Sequence, residues 1–513
     1  MSLPILEFTA SSNIDTWPLV ILGVSVVWVV VGITKLKLHP FLTLMLAAIL
    51  VGLMTGPLPE LTTENKGLFH SRVQLDDTVG EPTSDLGKAV TWSLIGFGNT
   101  AGGIGLVVAL AAIIGTCMMG SGAADRVVRS LMSVFGEKRA GIVLLLSGFL
   151  LSIPVFFDTV FFLLIPLARA LALRTGKSYT MYVMAMAGAG AITHSMVPPT
   201  PGPLMIADGL KLDLGYAMLA GLVASILPAL LVLKMASWFD AKYQIPMRDV
   251  AGTSKEELRK IVDKKDDELP PLFFSSLPIA LPVVLISLVS VLKLMMKTAD
   301  AGSFLKSEGY LSIFEYLSFL GNPNVAMSCA AGIAIWLLGK QLVQEHQGPG
   351  KELSKKLSSA LEGPLGTAGI IILITGAGGA FGGMIRLAGV GDVIEGMAKE
   401  FNISYVLLAW LATAVVRIAQ GSATVAMITG VGLMSAVIGD GSALDYHPVY
   451  IFLAIGFGSI TLSWMNDSGF WVVQRLSGFT EKETLKTWSV LLTAISLLGL
   501  VITLSGSFLL PLK

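Results

Sequence analysis

The sequence is poor in charged residues, which make up 14% of its 513 positions, against about 25% in a typical soluble domain. Lysine plus arginine equals aspartate plus glutamate, at 35 each, so no basic surplus is present to attract nucleic acid. The only two cysteines, Cys117 and Cys329, lie in apolar runs, which indicates packing rather than a disulfide or a metal site. No nucleotide-binding motif is evident, so no cofactor and no ATP-driven step are expected.

What the chain has in abundance is apolar sequence, since 54% of its residues are hydrophobic. Many apolar runs approach 20 residues, the length that crosses a bilayer, and this predicts an all-α polytopic membrane protein. We expect about ten transmembrane helices, two re-entrant hairpins and two broken helices, arranged as an inverted repeat. We also expect a multi-pass protein of the inner (plasma) membrane. No cleavable signal peptide is expected, because the N-terminus lacks a positively charged region.

The predicted organisation follows the order of polar and apolar segments. The segments are two scaffold spans (1–56), an extracytoplasmic loop (57–87), the first repeat core (88–239), a cytoplasmic linker (240–270), scaffold spans of the second repeat (271–339), a cytoplasmic loop (340–362) and the second repeat core (363–513). Each core contains one hairpin, at 140–173 and at 403–438, and one broken helix, at 179–207 and at 448–475. The hairpins are predicted to re-enter because each arm is too short for a full span.

Charge asymmetry between the loops predicts the orientation. The basic segments at 35–37, 126–139, 240–269 and 340–356 belong on the cytoplasmic side, and the acidic loop at 60–85 belongs outside. This assignment places both termini outside the cytoplasm. It holds only if the two interrupted stretches re-enter instead of crossing, which supports the hairpin interpretation.

The two halves match at a constant offset of 267 positions. Thr100 corresponds in this way to Thr367, and Gly202 corresponds to Gly469 in the second broken helix. Because the two copies start on opposite sides of the membrane, the repeat is predicted to be inverted. Inverted repeats are typical of alternating-access transporters that bind substrate between the halves.

Polar groups concentrate at the four interruptions, where hydrocarbon would make them costly. We expect Asp158, Asp467 and His194 to take part in proton coupling. Substrate binding is predicted for Thr159, Thr200, Ser422, Thr424, Asn466 and Ser468. Each role has a structural alternative, since aspartates and hydroxyls cap helices and a lone histidine is often a hydrogen-bonded core residue. Arg417 is either a fixed counter-ion or a residue that extends toward the interface.

Short motifs stand at the interruptions and near the N-terminus. They are HPFL at 39–42, VGLMTG at 51–56, PVFFD at 154–158, PPTPGP at 198–203, GSATVA at 421–426 and NDSGFW at 466–471. Together they resemble the gluconate permease (GntP) family of the ion-transporter superfamily over nearly the whole chain. The resemblance implies import of gluconate or a related sugar acid with protons, a homodimer and a moving transport domain. Thr200 stands where family members often carry a histidine.

The leading hypothesis is therefore a membrane transporter, not an enzyme, that imports gluconate or a related small hydroxylated carboxylate by proton symport with elevator-type alternating access. Its partners would be the substrate, protons and the lipid bilayer. The alternatives are a transporter of another organic or amino acid such as D-serine, or sodium coupling. An ion channel and an intramembrane aspartyl protease are remoter alternatives, because neither explains an inverted repeat with paired interruptions.

Overall fold

In the computed structural model, the described residues are 16–58, 84–175, 178–248, 269–298, 308–345, 350–390, 393, 404–439, 444–465 and 467–512. All regular secondary structure in these ranges is helical, which confirms the predicted all-α class. Most of the predicted extracytoplasmic loop and most of the predicted linker lie outside these ranges, as do the predicted site residue Asn466 and the loop residue Lys177.

Nineteen helices are labelled here in chain order within the described ranges. They are α1 (Trp17–Thr34), α2 (Pro40–Met54), α3 (Asp85–Gly120), α4 (Ala123–Phe135), α5 (Ala140–Leu151), α6 (Phe157–Thr175), α7 (Tyr179–Met196), α8 (Pro201–Gly209), α9 (Leu214–Ala224), α10 (Ile226–Tyr243), α11 (Leu272–Thr298), α12 (Glu308–Leu320), α13 (Pro323–Glu345), α14 (Gly350–Leu387), α15 (Tyr405–Gln420), α16 (Ala423–Ile438), α17 (Val449–Gly458), α18 (Ser468–Ser477) and α19 (Glu481–Leu509). The last helix contains a π-helical segment at Leu485–Ser489.

Six helical stretches in the described ranges are long and apolar enough to cross a membrane. They are Asp85–Gly120, Leu214–Tyr243, Leu272–Lys293, Pro323–Gln344, Lys355–Leu387 and Glu481–Leu509. Further apolar helices, including α1 and α2, are shorter. The chain is thus an integral membrane protein with several spans, while the count of ten stays a prediction.

The two predicted hairpins correspond to the helix pairs α5–α6 and α15–α16. Between α5 and α6 the chain leaves the helix around Pro154, whose ring lacks the N–H that a helix interior needs. Between α15 and α16 it turns at Gly421, where φ is +86°, a left-handed conformation that favours glycine. Ser422 then caps α16 by accepting a hydrogen bond from the backbone N–H of Val425 at 3.3 Å.

The two predicted broken helices correspond to α7–α8 and α17–α18. The first breaks at Pro198 and Pro199, which cannot donate to a helical ladder. The second leaves the helix after Gly458 and resumes at Ser468, where Asp467 caps the new helix by accepting from the backbone N–H of Gly469 at 3.0 Å. Proline therefore accounts for the first break, and the Asp467 cap accounts for the restart of the helix after the second.

The long helices α3 and α14 pack against each other because glycines remove side chains from their contact. A Cβ on Gly376 would lie 2.7 Å from the ring of Phe97 on α3. The contact of α14 with α16 is equally close, since a Cβ on Gly382 would lie 2.7 Å from the Cα of Gly432. The larger cluster of buried apolar side chains surrounds the hairpins and broken helices. A second cluster joins α1 and α2 to the first half of α3 and the second half of α14.

The starting points of the helices repeat along the chain. The second halves of the broken helices start at Pro201 and Ser468, which are 267 positions apart. The helices that follow them start at Leu214 and Glu481, again 267 positions apart. The recurrence supports the predicted repeat, and the inversion of one copy relative to the other stays a prediction.

Two features differ from the sequence-based expectation. The helix α12 was not expected between the spans of the second scaffold segment. Most of the predicted cytoplasmic loop 340–362 is helical, because α13 continues to Glu345 and α14 begins at Gly350. A polar segment can extend a transmembrane helix beyond the bilayer, so its polarity did not require a loop.

Candidate functional site

The four chain interruptions meet at one cavity of about 310 Å³. Its polar lining residues are Asp158, Thr159, His194, Ser195, Thr367, Arg417, Ser422, Thr424, Asp467 and Ser468. Apolar side chains, among them Phe157, Ile460 and Trp488, complete the wall. Polar groups that converge between apolar walls are the usual form of a small-molecule site.

The cavity brings together seven of the nine residues selected from the sequence. They are Asp158, Thr159, His194, Ser422, Thr424, Asp467 and Ser468. Thr200 is not part of the lining, because its hydroxyl points back to the break and donates to the carbonyl oxygens of His194 at 3.0 Å and Val197 at 2.8 Å. Asn466 lies outside the described residues.

Four helices begin at the cavity wall. The lining includes Phe157, Pro201, Ala423 and Ser468, which are the first residues of α6, α8, α16 and α18. The first N–H groups of a helix have no partner inside it, and the helix dipole adds partial positive charge there. The four helix N-termini do not contribute equally to this positive end, because Pro201 and Pro203 leave α8 with fewer backbone N–H donors. The arrangement favours an anionic group in the cavity.

Three hydroxyls on the wall have no internal partner within the described part of the chain. Thr159 lies in the first turn of α6, Thr424 in the first turn of α16 and Ser468 at the start of α18. None of the three side chains makes a hydrogen bond with another described residue. They can therefore pair with the hydroxyls of a bound molecule without giving up an existing bond.

Arg417 and Asp467 form a buried ion pair on one side of the cavity. Their exposed fractions are 3% and 6%, and Nη2 of Arg417 lies 2.5 Å from Oδ2 of Asp467. Nη1 of Arg417 donates to the carbonyl oxygen of Gly421, so the guanidinium bridges the turn of the second hairpin and the second break. The Ser463 hydroxyl also donates to Oδ2, and Trp488 donates to the Ser463 oxygen at 2.7 Å. The Asp467 carboxylate is thus fully engaged.

Asp158 has a different environment in the same cavity. It lies in the first turn of α6, one residue inside the helix, so it is not the N-cap considered from the sequence. Its side chain is exposed to the cavity and makes no hydrogen bond or ion pair with any described residue. Because Arg417 neutralises Asp467, Asp158 is the one carboxylate on the described wall that lacks a counter-charge.

His194 and Ser195 lie at the end of α7, where the helix reaches the first break. Nδ1 of His194 and Oγ of Ser195 are buried and have no hydrogen-bond partner within the described ranges. Buried polar atoms are almost always paired in proteins, so both atoms are suited to a water molecule or a ligand. Ser195 was not selected from the sequence, although it is adjacent to His194.

Comparison with known proteins gives the family. The model of the GntP family permeases matches residues 17–66 and 78–509. The chain belongs to this family.

Two relatives illustrate the similarity. An uncharacterized permease of Haemophilus influenzae is 32% identical over 479 residues, which are 92% of this chain and 88% of that protein. The gluconate permease of Pseudomonas aeruginosa is also 32% identical, over 94% of this chain and 95% of its own length. Among solved structures, the YdaH transporter of Alcanivorax borkumensis aligns with a TM-score of 0.55 and 13% identity over 93% of this chain and all of that one. The likeness extends to the fold.

Membership of the GntP permease family confirms that the protein is a membrane transporter and not an enzyme. The family, together with the apolar helices, places it in the inner membrane. No group of three or more His, Cys, Asp or Glu residues that could hold a metal occurs in the part of the chain that the structure describes. Two residues that the sequence left unassigned belong to the network of the ion pair: Ser463 donates to Asp467, four positions further on, and Trp488 donates to Ser463 across 25 positions.

Proposed function

We propose that this GntP family permease imports gluconate or a related hydroxylated carboxylate by symport with protons. The observation that supports this proposal best is the charge balance of the cavity. Arg417 cancels Asp467, and Asp158 is left as an uncompensated carboxylate beside the helix N-termini that suit an anion. An ionised Asp158 and an anionic substrate repel each other in a shared site of low polarity.

Protonation of Asp158 removes this repulsion, which is the physical basis proposed for coupling. The substrate binds tightly when Asp158 carries a proton, and the proton and the substrate then cross together. Release of the proton on the other side restores the repulsion and weakens binding there. Asp467 has a positioning role in this scheme, because it is already paired with Arg417. His194 is a second candidate for the path of the proton, since its Nδ1 has no partner within the described residues.

The substrate class is proposed from the wall and from the family. The hydroxyls of Thr159, Thr424 and Ser468 fit a polyol chain, and a relative named gluconate permease aligns over 94% of this chain. Ser422 caps α16 and would contribute mainly by fixing the hairpin turn. Thr200 would hold the first break in shape, and Asn466 stays a predicted ligand.

Alternating access is proposed because cavities lie at both ends of the elements that form the site. A cavity of about 140 Å³ adjoins the first one between α3 and α14 and shares Thr159 and Thr367 with it. Another, of about 110 Å³, lies near the far ends of α8 and α16, where it is lined by Asp208 and Ser435. An elevator-type movement of the hairpins and broken helices past α1, α2, α3 and α14, within a homodimer, would open the site to each cavity in turn.

Uptake by reconstituted vesicles tests the proposal. Labelled gluconate should accumulate against its gradient when the proton concentration is higher outside, and a protonophore should abolish the accumulation. A plain short-chain fatty acid should compete poorly, because it leaves the wall hydroxyls unpaired. Equilibration without accumulation would contradict symport, and absence of gluconate uptake would contradict the substrate class.

A further inference from the structure

Arg417 lies where the turn before α16 meets the second break, with oxygen atoms of both segments around its guanidinium. Its guanidinium contacts two kinds of oxygen, the carbonyl of Gly421 at the C-terminal end of α15 and the carboxylate of Asp467 at the second break. Carbonyl oxygens at helix C-termini and unwound segments, together with carboxylates, are the ligands that sodium takes in membrane transporters. The Ser463 hydroxyl donates to the same carboxylate and so lies beside this junction.

The positive charge at this position is permanent. A guanidinium in a protein keeps its proton at all physiological pH values and has only donors to offer. Arg417 is 3% exposed, and it is anchored by the helix that carries it. A second cation approaching the same oxygens would meet both a full set of hydrogen bonds and a repelling charge at short range.

We propose that Arg417 acts as a built-in cation that determines the ion specificity of this transporter by excluding sodium from the junction of the second hairpin and the second break. The inference rests on the proposed function, since it concerns the coupling ion of the same cavity. Arg417 is a positioning residue in this account. It holds the hairpin turn against the break in every state of the cycle, which a dissociating ion would do only when bound.

The assignment distinguishes the two carboxylates of the cavity. Asp467 cannot exchange cations because its oxygens are taken by Arg417, Ser463 and the backbone N–H of Gly469. The other charged or titratable groups on the described wall are Asp158 and His194. Only these two can then take up and release the coupling ion.

Thermal stability of the purified protein tests this inference without a known substrate. The melting temperature of the wild type should be the same in sodium, potassium and N-methylglucamine chloride at equal ionic strength and pH. Arg417→Ala should melt at a lower temperature, and sodium or millimolar guanidinium should restore part of the loss. Arg417→Lys should stay indifferent to sodium, because it keeps the charge. Arg475→Ala is the matched control, since it removes an exposed arginine from α18.

Gluconate binding gives a second readout. Arg417→Ala should bind gluconate at least about tenfold more weakly in sodium-free buffer, because one partner of a buried charge pair has been removed, and sodium should recover part of that affinity. A wild type that needs sodium for binding or uptake would overturn the inference. So would a folded alanine variant whose stability and affinity ignore every cation.

The test still gives an answer in two less simple cases. If Arg417→Ala cannot be purified, the lysine variant gives the answer. A melting temperature or affinity of Arg417→Lys that depends on sodium would contradict the proposal, because it would show that a fixed positive charge does not exclude the ion. If the wild type fails to transport gluconate but the stability results agree with expectation, the proposed substrate is wrong and the role of Arg417 stands. If the wild type takes up gluconate with protons but the stability and affinity of Arg417→Ala are the same in every cation, the proposed function stands and the role of Arg417 is wrong.

Discussion

Replacement of Asp158 by asparagine should uncouple transport from the proton gradient while leaving the cavity intact. The side chain is exposed to the cavity and has no hydrogen bond or ion pair within the described part of the chain, so the isosteric amide breaks no such contact. An amide has a donor and an acceptor, as a protonated carboxyl does, but it cannot release a proton. Asp158→Asn therefore imitates the state that binds substrate.

The expected magnitude follows from the size of the cavity. A site of about 310 Å³, treated as a sphere, is about 8 Å across, which limits the separation of a bound carboxylate from Asp158. At an effective dielectric constant of about 20, two unit charges at that distance repel by roughly 2 kcal/mol. This energy corresponds to a factor of about 30 in affinity. Wild-type affinity for gluconate should fall by about this factor as pH rises and Asp158 loses its proton.

Calorimetry and flux measurements together test this reasoning. Gluconate binding by the wild type should take up a proton, seen as a dependence of the measured heat on the ionisation enthalpy of the buffer. Asp158→Asn should bind with an affinity independent of pH, and its vesicles should exchange labelled for unlabelled gluconate without accumulating it. Asp85→Asn is a matched control, because Asp85 also lies in the first turn of a helix but away from the cavity. Accumulation by Asp158→Asn at the wild-type rate would refute the reasoning.

Other substitutions address the wall, the ion pair and the topology. Thr424→Ala should lose about 1 to 3 kcal/mol of gluconate affinity with little change in melting temperature, and adding Ser422→Ala should also lower the melting temperature, because Ser422 caps α16. Unchanged affinity of the double variant in calorimetry would remove this hairpin tip from the site. Asp467→Asn should destabilise the protein by about 3 to 5 kcal/mol, because it leaves the guanidinium beside it buried without a counter-charge, and a thermal or denaturant melt measures the loss. A cysteine replacing Lys177 should be labelled only from the cytoplasm and one replacing Asp440 only from outside, and the reverse pattern would contradict the predicted orientation.

The positions of the interruptions could be predicted from the sequence because their causes are local. Proline removes a backbone donor and glycine permits left-handed φ, so Pro154, Pro198 and Gly421 identify the sites where helices end. Polar residues next to these breaks identify the cavity wall, since they would be costly in lipid. Seven of the nine selected residues consequently lie on one wall.

Pairings across the fold could not be predicted in the same way. Arg417 and Asp467 are 50 positions apart, and nothing in either segment indicates that α15 will place the guanidinium against the second break. Ser463 and Trp488 belong to the same network, yet each looks like an ordinary residue of an apolar segment. The direction of the Thr200 hydroxyl depends on how the chain turns after Val197, which composition does not reveal.

If the predicted repeat is used to align the two halves, the differences between the aligned positions bear on the proposed chemistry. At the offset of 267, the positions equivalent to Asp158, Arg417 and Asp467 are Val425, Leu150 and Thr200. In the predicted repeat, each charged residue is thus present in one half only, while helix interruptions occur in both halves. A fully symmetric cavity would contain each charge twice. With one copy of each, the pair neutralises itself and a single uncompensated carboxylate is left to take a proton, so the proposed cycle carries one proton at Asp158 with each substrate anion.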